Sequence, residues 1–201
     1  TNPILTNDKK DLGIIKRIEE EGYKVRNTYI HKTYGTIQNT FDGLREDLQK
    51  IGMCYSHKRA EKYIPDIYLT ASIEQRLALL AGLLDTDGSL RIKERRYSFT
   101  TSEEKLRDSF ISLVSTFGWR CSIVKYEPRK SSSGIEGRKK VYVISFNPTF
   151  YIPCVLERKQ LREHSKQRRI AIKSIERVEP EEGNCITVEG GVYCAGKSLI
   201  P

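Results

Sequence analysis

Long apolar runs are missing from this chain of 201 residues. No stretch approaches the roughly 20 apolar residues that cross a bilayer, and no secretory leader opens the sequence, which predicts an intracellular, cytoplasmic protein. Histidine is scarce, at three residues, and the five cysteines (Cys54, Cys121, Cys154, Cys185 and Cys194) include no close-spaced pair of the zinc or redox kind. Their odd number argues against a disulfide scaffold and suits a reducing compartment. What is abundant is charge. Lys and Arg exceed Asp and Glu by 35 to 26, for a net charge of +9, against 38% hydrophobic residues. That balance describes a soluble globular chain with either a polyanionic partner or a merely basic surface.

The hydrophobic pattern contains an internal repeat. "LTNDKKDLGIIKRIEEEGYKVRNTY" (Leu5 to Tyr29) sets a strand end, an Asn7-Asp8 cap, a helix and a Gly-aromatic-basic step into a strand. "FTTSEEKLRDSFISLVSTFGWRCSIVKY" (Phe99 to Tyr126) follows the same order, with a Thr101-x-x-Glu104 capping box and Gly118-Trp119-Arg120 in place of Gly22-Tyr23-Lys24. Strands are expected at 3–6, 23–32, 36–39, 90–95, 97–101, 121–126 and 140–146, with a helix at 41–51 between the copies. Before the second copy stands an acidic helix that the first copy lacks. Glu127 to Lys140, rich in Gly, Ser and basic residues, reads as a hairpin tip. From Ile170 the pattern changes to short alternating β runs.

That acidic helix, "LALLAGLLDTDGSLRI" from Leu77 to Ile92, carries the chemistry. Ser72-x-x-Gln75 opens it, Leu77, Leu80 and Leu84 form a core stripe, and Ala78, Ala81 and Gly82 form a small-residue face suited to close packing against another helix. Asp85 and Asp87 occupy the last turn, where the helix dipole disfavours a carboxylate by roughly 0.3–1 kcal/mol unless a cation is present. An EF-hand is excluded by register, because Gly88 at the invariant glycine would make Leu83 the first ligand.

"LAGLLDTDG" (Leu80 to Gly88) resembles the signature of the LAGLIDADG, or dodecapeptide, homing endonucleases, differing only at Leu84 and Thr86. The resemblance implies an α+β fold of two pseudo-two-fold αββαββα halves, the first here without its motif helix. It further implies Mg²⁺ held by Asp87 between the scissile phosphates of double-stranded DNA, with Asp85 bracing the helix end. Two central lysines are implied: Lys62, in the "KYIP" element, and Lys159, in "IPCVLERKQL". DNA would lie on antiparallel strands. Arg91, Lys93 and Arg95 would share one face by alternation, and Lys125, Arg129, Lys130, Arg138 and Lys140 would flank the second hairpin.

The tail "NCITVEGGVYCAGKSLIP" resembles the last strands of the Hint splicing domain of an intein, with Cys185 at a position that assists branching or C-terminal cleavage. Gly191 stands where other inteins carry a histidine. Three parts are therefore expected: 1–65, the remainder of a first LAGLIDADG half with a connecting segment; 66–165, a complete second half; and 166–201, short Hint-type β strands. The expected protein is the C-terminal portion of an endonuclease-bearing intein, dependent on an N-terminal intein partner for splicing and for double-strand cleavage. The alternatives are a DNA-binding module of the same fold without catalysis, and a free-standing endonuclease or maturase.

Overall fold

The computed structural model describes residues 3–32, 35–53, 62–128, 139–164, 174–180, 182–183 and 186–190. The first unit comprises β1 (Leu5–Asn7), α1 (Leu12–Glu20), β2 (Val25–Ile30), β3 (Ile37–Phe41) and α2 (Leu44–Lys50). The second comprises α3 (Ile73–Asp87), β4 (Gly88–Arg91), β5 (Arg96–Thr101), α4 (Glu104–Ser115), β6 (Cys121–Tyr126) and β7 (Val141–Phe146).

The repeat read from the sequence is present in the topology. The first sheet has the antiparallel order β1-β3-β2 and the second β4-β5-β7-β6, so β5-β7-β6 reproduces the first sheet. The two steps from helix to strand match as well. Gly22 and Gly118 both sit in the left-handed region, at φ 96° and 74°, where a side chain would be strained.

The main core lies between one face of the second sheet and the helices α3 and α4. Alternate residues of β5 and β7, Tyr97, Phe99, Tyr142, Ile144 and Phe146, point inward, as a half-covered antiparallel sheet requires. They meet Leu80 and Leu84 of α3 and Phe110, Leu113 and Val114 of α4, all fully buried. Phe99 stacks on Phe110 at 4.3 Å between ring centres, and Trp119 on Phe146 at 5.7 Å. The leucine stripe of α3 therefore faces the core as its spacing predicts.

Several local expectations are corrected. The residues from Ile92 to Arg95 form the β4–β5 turn, with Arg95 at φ 51°, so Lys93 and Arg95 do not alternate with Arg91 along a strand. Thr101 and Glu104 form no capping box: α4 begins at Glu104, Thr101 Oγ1 accepts from the Glu103 amide, and Glu104 accepts from the Tyr142 hydroxyl. Among the described residues after His164 no strand forms, and Ile175 and Val178 are 86% and 80% exposed. Residues 165–173, 181, 184–185 and 191–201 of that expected tail lie outside the described residues. Among the described residues, no helix is long and apolar enough to cross a membrane.

Candidate functional site

Helix α3 is braced at both ends. The Ser72–Gln75 capping box fixes its start, with Gln75 N to Ser72 Oγ at 3.3 Å and Ser72 N to Gln75 Oε1 at 3.1 Å. At the other end the chain passes from helix to strand without a loop. The Gly88 amide donates to the Leu84 carbonyl while the Gly88 backbone is already extended. A Cβ on Gly88 would lie 2.6 Å from Leu84 Cα and its carbonyl oxygen, so glycine is required by close approach.

A helix C-terminus presents carbonyls without amide partners, and two aspartates there add to its negative charge. The compensation comes from residues 152–161, which cross beneath α3. The Lys159 ammonium is buried and donates to the carbonyls of Leu84 at 2.7 Å, Asp85 at 2.6 Å and Thr86 at 3.4 Å. An ammonium has three hydrogens, and here each has a carbonyl acceptor. The Thr86 hydroxyl lies within hydrogen-bonding range of the Gly82 and Leu83 carbonyls, at 3.1 and 3.2 Å.

Asp85 and Asp87 part company at this point. Asp85 is buried and accepts from the amides of Val155 at 2.7 Å and Leu156 at 3.1 Å. Burial pushes its carboxyl up, against the pull of those two amides and of Lys159. Burial likewise pushes Lys159 down from the usual lysine range. Asp87 is exposed. Of the two carboxylates, one is committed to holding the crossing segment and the other faces solvent.

Residues 152–161 are anchored in both directions. Ile152, Cys154, Leu156 and Leu161 are buried, the Tyr97 hydroxyl donates to the Lys159 carbonyl at 2.7 Å, and burial pushes the Cys154 thiol up to about 12. Arg158 reaches the first unit, where its guanidinium donates to both oxygens of buried Asp11, the Nη2–Oδ2 bond at 2.9 Å. That hydrogen bond holds the Asp11 carboxyl below the usual range. Close by, a Cβ on Gly13 would lie 3.1 Å from Val155 Cγ1. The sequence reading missed Arg158, although it sits beside Lys159 in the same quoted segment.

The remaining expected residues are dispersed. Lys62 is exposed and lines a cleft of about 550 Å³ at the start of α4 with Glu103, Glu104, Lys105, Lys139 and Lys140. Lys125 pairs across β6 and β7 with Tyr142, a core-facing residue, and its ammonium lies 3.0 Å from Glu127. It lies on β6, at the side of the second hairpin, and projects to the face opposite that of Arg91. Arg96 joins Arg91 on that outer face and was not anticipated, because β5 begins one residue earlier than expected. Ala81 is buried in the core, while Ala78 and Gly82 are exposed, and a Cβ on Gly82 would meet nothing within 4 Å. The expected small-residue face is thus divided. Arg129, Lys130, Arg138 and Cys185 lie outside the described residues.

Two predictions follow from these contacts. Lys159→Met should destabilise the fold by about 1.5–3 kcal/mol, the value of a hydrogen bond to a charged group, measured by urea unfolding. Asp11 contributes stability in its ionised form, present above about pH 4 and lost as the pH falls through its lowered value. Asp11→Asn should therefore be less stable than the parent at pH 7, with the gap narrowing as the pH falls below about 4.

Parts of this chain are similar to known proteins. The family model of the LAGLIDADG-like domain matches residues 74–173. The replicative DNA helicase DnaB of Mycobacterium intracellulare is 29% identical over 95% of this chain, which spans about 30% of that protein's length. The ATP-dependent DNA helicase Hel308 of Methanocaldococcus jannaschii is 26% identical over 52% of the chain and 9% of its own length. Structures of the homing endonuclease I-DmoI align with 71% of this chain at 14% identity. The complex with DNA and Mn has a TM-score of 0.43 and is covered over 72% of its chain, and that with DNA and Ca a TM-score of 0.44 over 66%. Residues 74–173, which take in nearly all of α3, the four-stranded sheet, α4 and the segment that caps α3, are thus similar to the LAGLIDADG-like domain.

Proposed function

We propose that this chain is the DNA-cleaving part of a LAGLIDADG homing endonuclease, hydrolysing phosphodiester bonds of double-stranded DNA with a divalent cation, Mg²⁺ in the cell. The observation that carries this reading is Asp87, an exposed carboxylate on a helix end whose charge is already balanced from within by Lys159. Among the described residues no group of three or more His, Cys, Asp or Glu could enclose a metal. That fits Mg²⁺, which keeps several waters and is held by one or two carboxylates together with substrate phosphates. When bound, the cation would activate water and offset charge on the departing oxygen.

The chain's own residues would divide the work. Asp87 holds the cation. Asp85 and Lys159 fix the position of Asp87, Lys159 as a positioning residue because its ammonium hydrogens are engaged by α3. Arg91, Lys93, Lys62 and Lys140 attract the DNA backbone, so affinity should fall steeply with salt, by about 0.9 in the log-log slope for each phosphate neutralised. The outward face at Ala78 and Gly82 receives a second motif helix, supplied with the N-terminal part of the same protein. This reading divides the chain into 1–65, 66–165 and 166–201, as the sequence suggests.

We further propose that the endonuclease is carried within an intein, the last part with Cys185 belonging to its splicing domain. Support comes from the shares covered: the chain corresponds to a minor part of each of two differently named helicases, as expected of an element inserted into different hosts.

Cleavage tests the first proposal. Asp87→Asn should lower Mg²⁺-dependent nicking or cutting of target DNA by roughly a hundred-fold or more, the loss of several kcal/mol of charge stabilisation. Duplex binding should persist. Full activity in that variant would overturn the assignment. Mass spectrometry of the product of the complete native gene tests the second. Joined flanking sequences are expected, and a product retaining this segment uncut would favour the free-standing endonuclease.

A further inference from the structure

The face of the second sheet turned away from the helices carries a regular pattern across its strands. Directly paired residues share a face, so the ladder defines rows. Arg91 lies opposite Arg96. The next row is Ser89, Ser98, Ser145 and Ser122, one serine on each of the four strands. The row after it is Thr100, Val143 and Val124, with Val124 49% exposed. Gly88, which follows Asp87, pairs with Phe99, so the Thr100 row lies nearer to Asp87 and the arginine row farther from it.

The rows differ in what they can recognise. Arginine is suited to the two acceptors of guanine in the major groove, and valine or a threonine methyl to the methyl group of thymine. The serines are short, and their hydroxyls are engaged within the sheet: Ser98 and Ser145 share a hydrogen bond at 2.8 Å, and Ser122 donates to the Ser145 carbonyl at 3.3 Å. Four residues separate the arginine and valine rows along a strand. At about 3.4 Å per residue that is roughly 14 Å, or about four base-pair steps of B-DNA.

Resting on the DNA-binding reading above, we propose that this sheet reads its half of the target as a thymine close to the cut and a guanine about four base pairs farther out, with weak discrimination between them where the serine row lies. Arg91 is held by Glu94 at 3.4 Å, which makes Arg96 the more direct reader to test.

The test is selection of bound duplexes from a randomised pool by the full chain in chelator, comparing the parent with Arg96→Ala, Val124→Ala and Ser122→Ala. The parent should enrich guanine and thymine at the stated spacing. Arg96→Ala should relax the guanine preference about 5- to 100-fold without altering the thymine. Val124→Ala should do the reverse, and Ser122→Ala should change neither. Salt-sensitive binding in which Arg96→Ala weakens all sequences equally would overturn this assignment and leave the DNA-binding reading standing. No binding to any duplex would overturn both.

Discussion

The ammonium of Lys159 beneath the C-terminus of α3 is the interaction on which the rest of the structure depends. A helix that ends in Leu84, Asp85, Thr86 and Asp87 gathers carbonyls that, beyond Leu84, lack a helical amide partner, together with two carboxylates, each unfavourable to the others. Placing a buried cation there resolves the conflict from the protein side. The lysine donates to three successive carbonyls and lies within a segment whose amides are themselves taken up by Asp85. A charge on a long side chain is expensive to bury alone, and acceptable here because its hydrogen-bonding capacity is filled.

The same segment couples elements far apart in sequence. Tyr97 in the core holds the Lys159 carbonyl, Asp85 holds two amides, and Arg158 reaches Asp11 in the first unit. Rotation or translation of α3 would break several of these at once, so the direction in which its last residue points is set by packed contacts on three sides. Gly88 removes the remaining freedom by letting β4 leave the helix at van der Waals range of Leu84. An exposed carboxylate on so constrained a terminus is suited to a cation shared with a phosphate backbone, because little ordering remains to be done on binding.

Much of this was legible in the sequence, and the failures have physical reasons. Leucine spacing at 77, 80 and 84 placed the core stripe, and Ser72 with Gln75 placed the start of α3, because local side-chain chemistry determines both. The repeated grammar foresaw the common order of elements in the two units, though not the order of strands within each sheet. Strand ends were less legible. Alternating Arg91, Lys93 and Arg95 suggested a strand where a four-residue turn forms, since the pairing of Gly88 with Phe99 sets the register from outside the basic run. Arg96 was overlooked for the same reason. The capping role of Lys159 and the Arg158–Asp11 pair join positions 70 or more residues apart, and no local pattern encodes such contacts. The motif resemblance singled out Lys159; its three carbonyl partners emerge only from the fold.

The most direct measurement is paramagnetic line broadening by Mn²⁺ in the ¹⁵N-labelled protein. A cation held at the end of α3 should broaden the amides of Thr86, Asp87 and Gly88 first, and those of residues 155–159 next, with the effect absent in Asp87→Asn. Broadening confined to other acidic surfaces, or unchanged in that variant, would contradict the assignment of Asp87 as the cation-binding carboxylate.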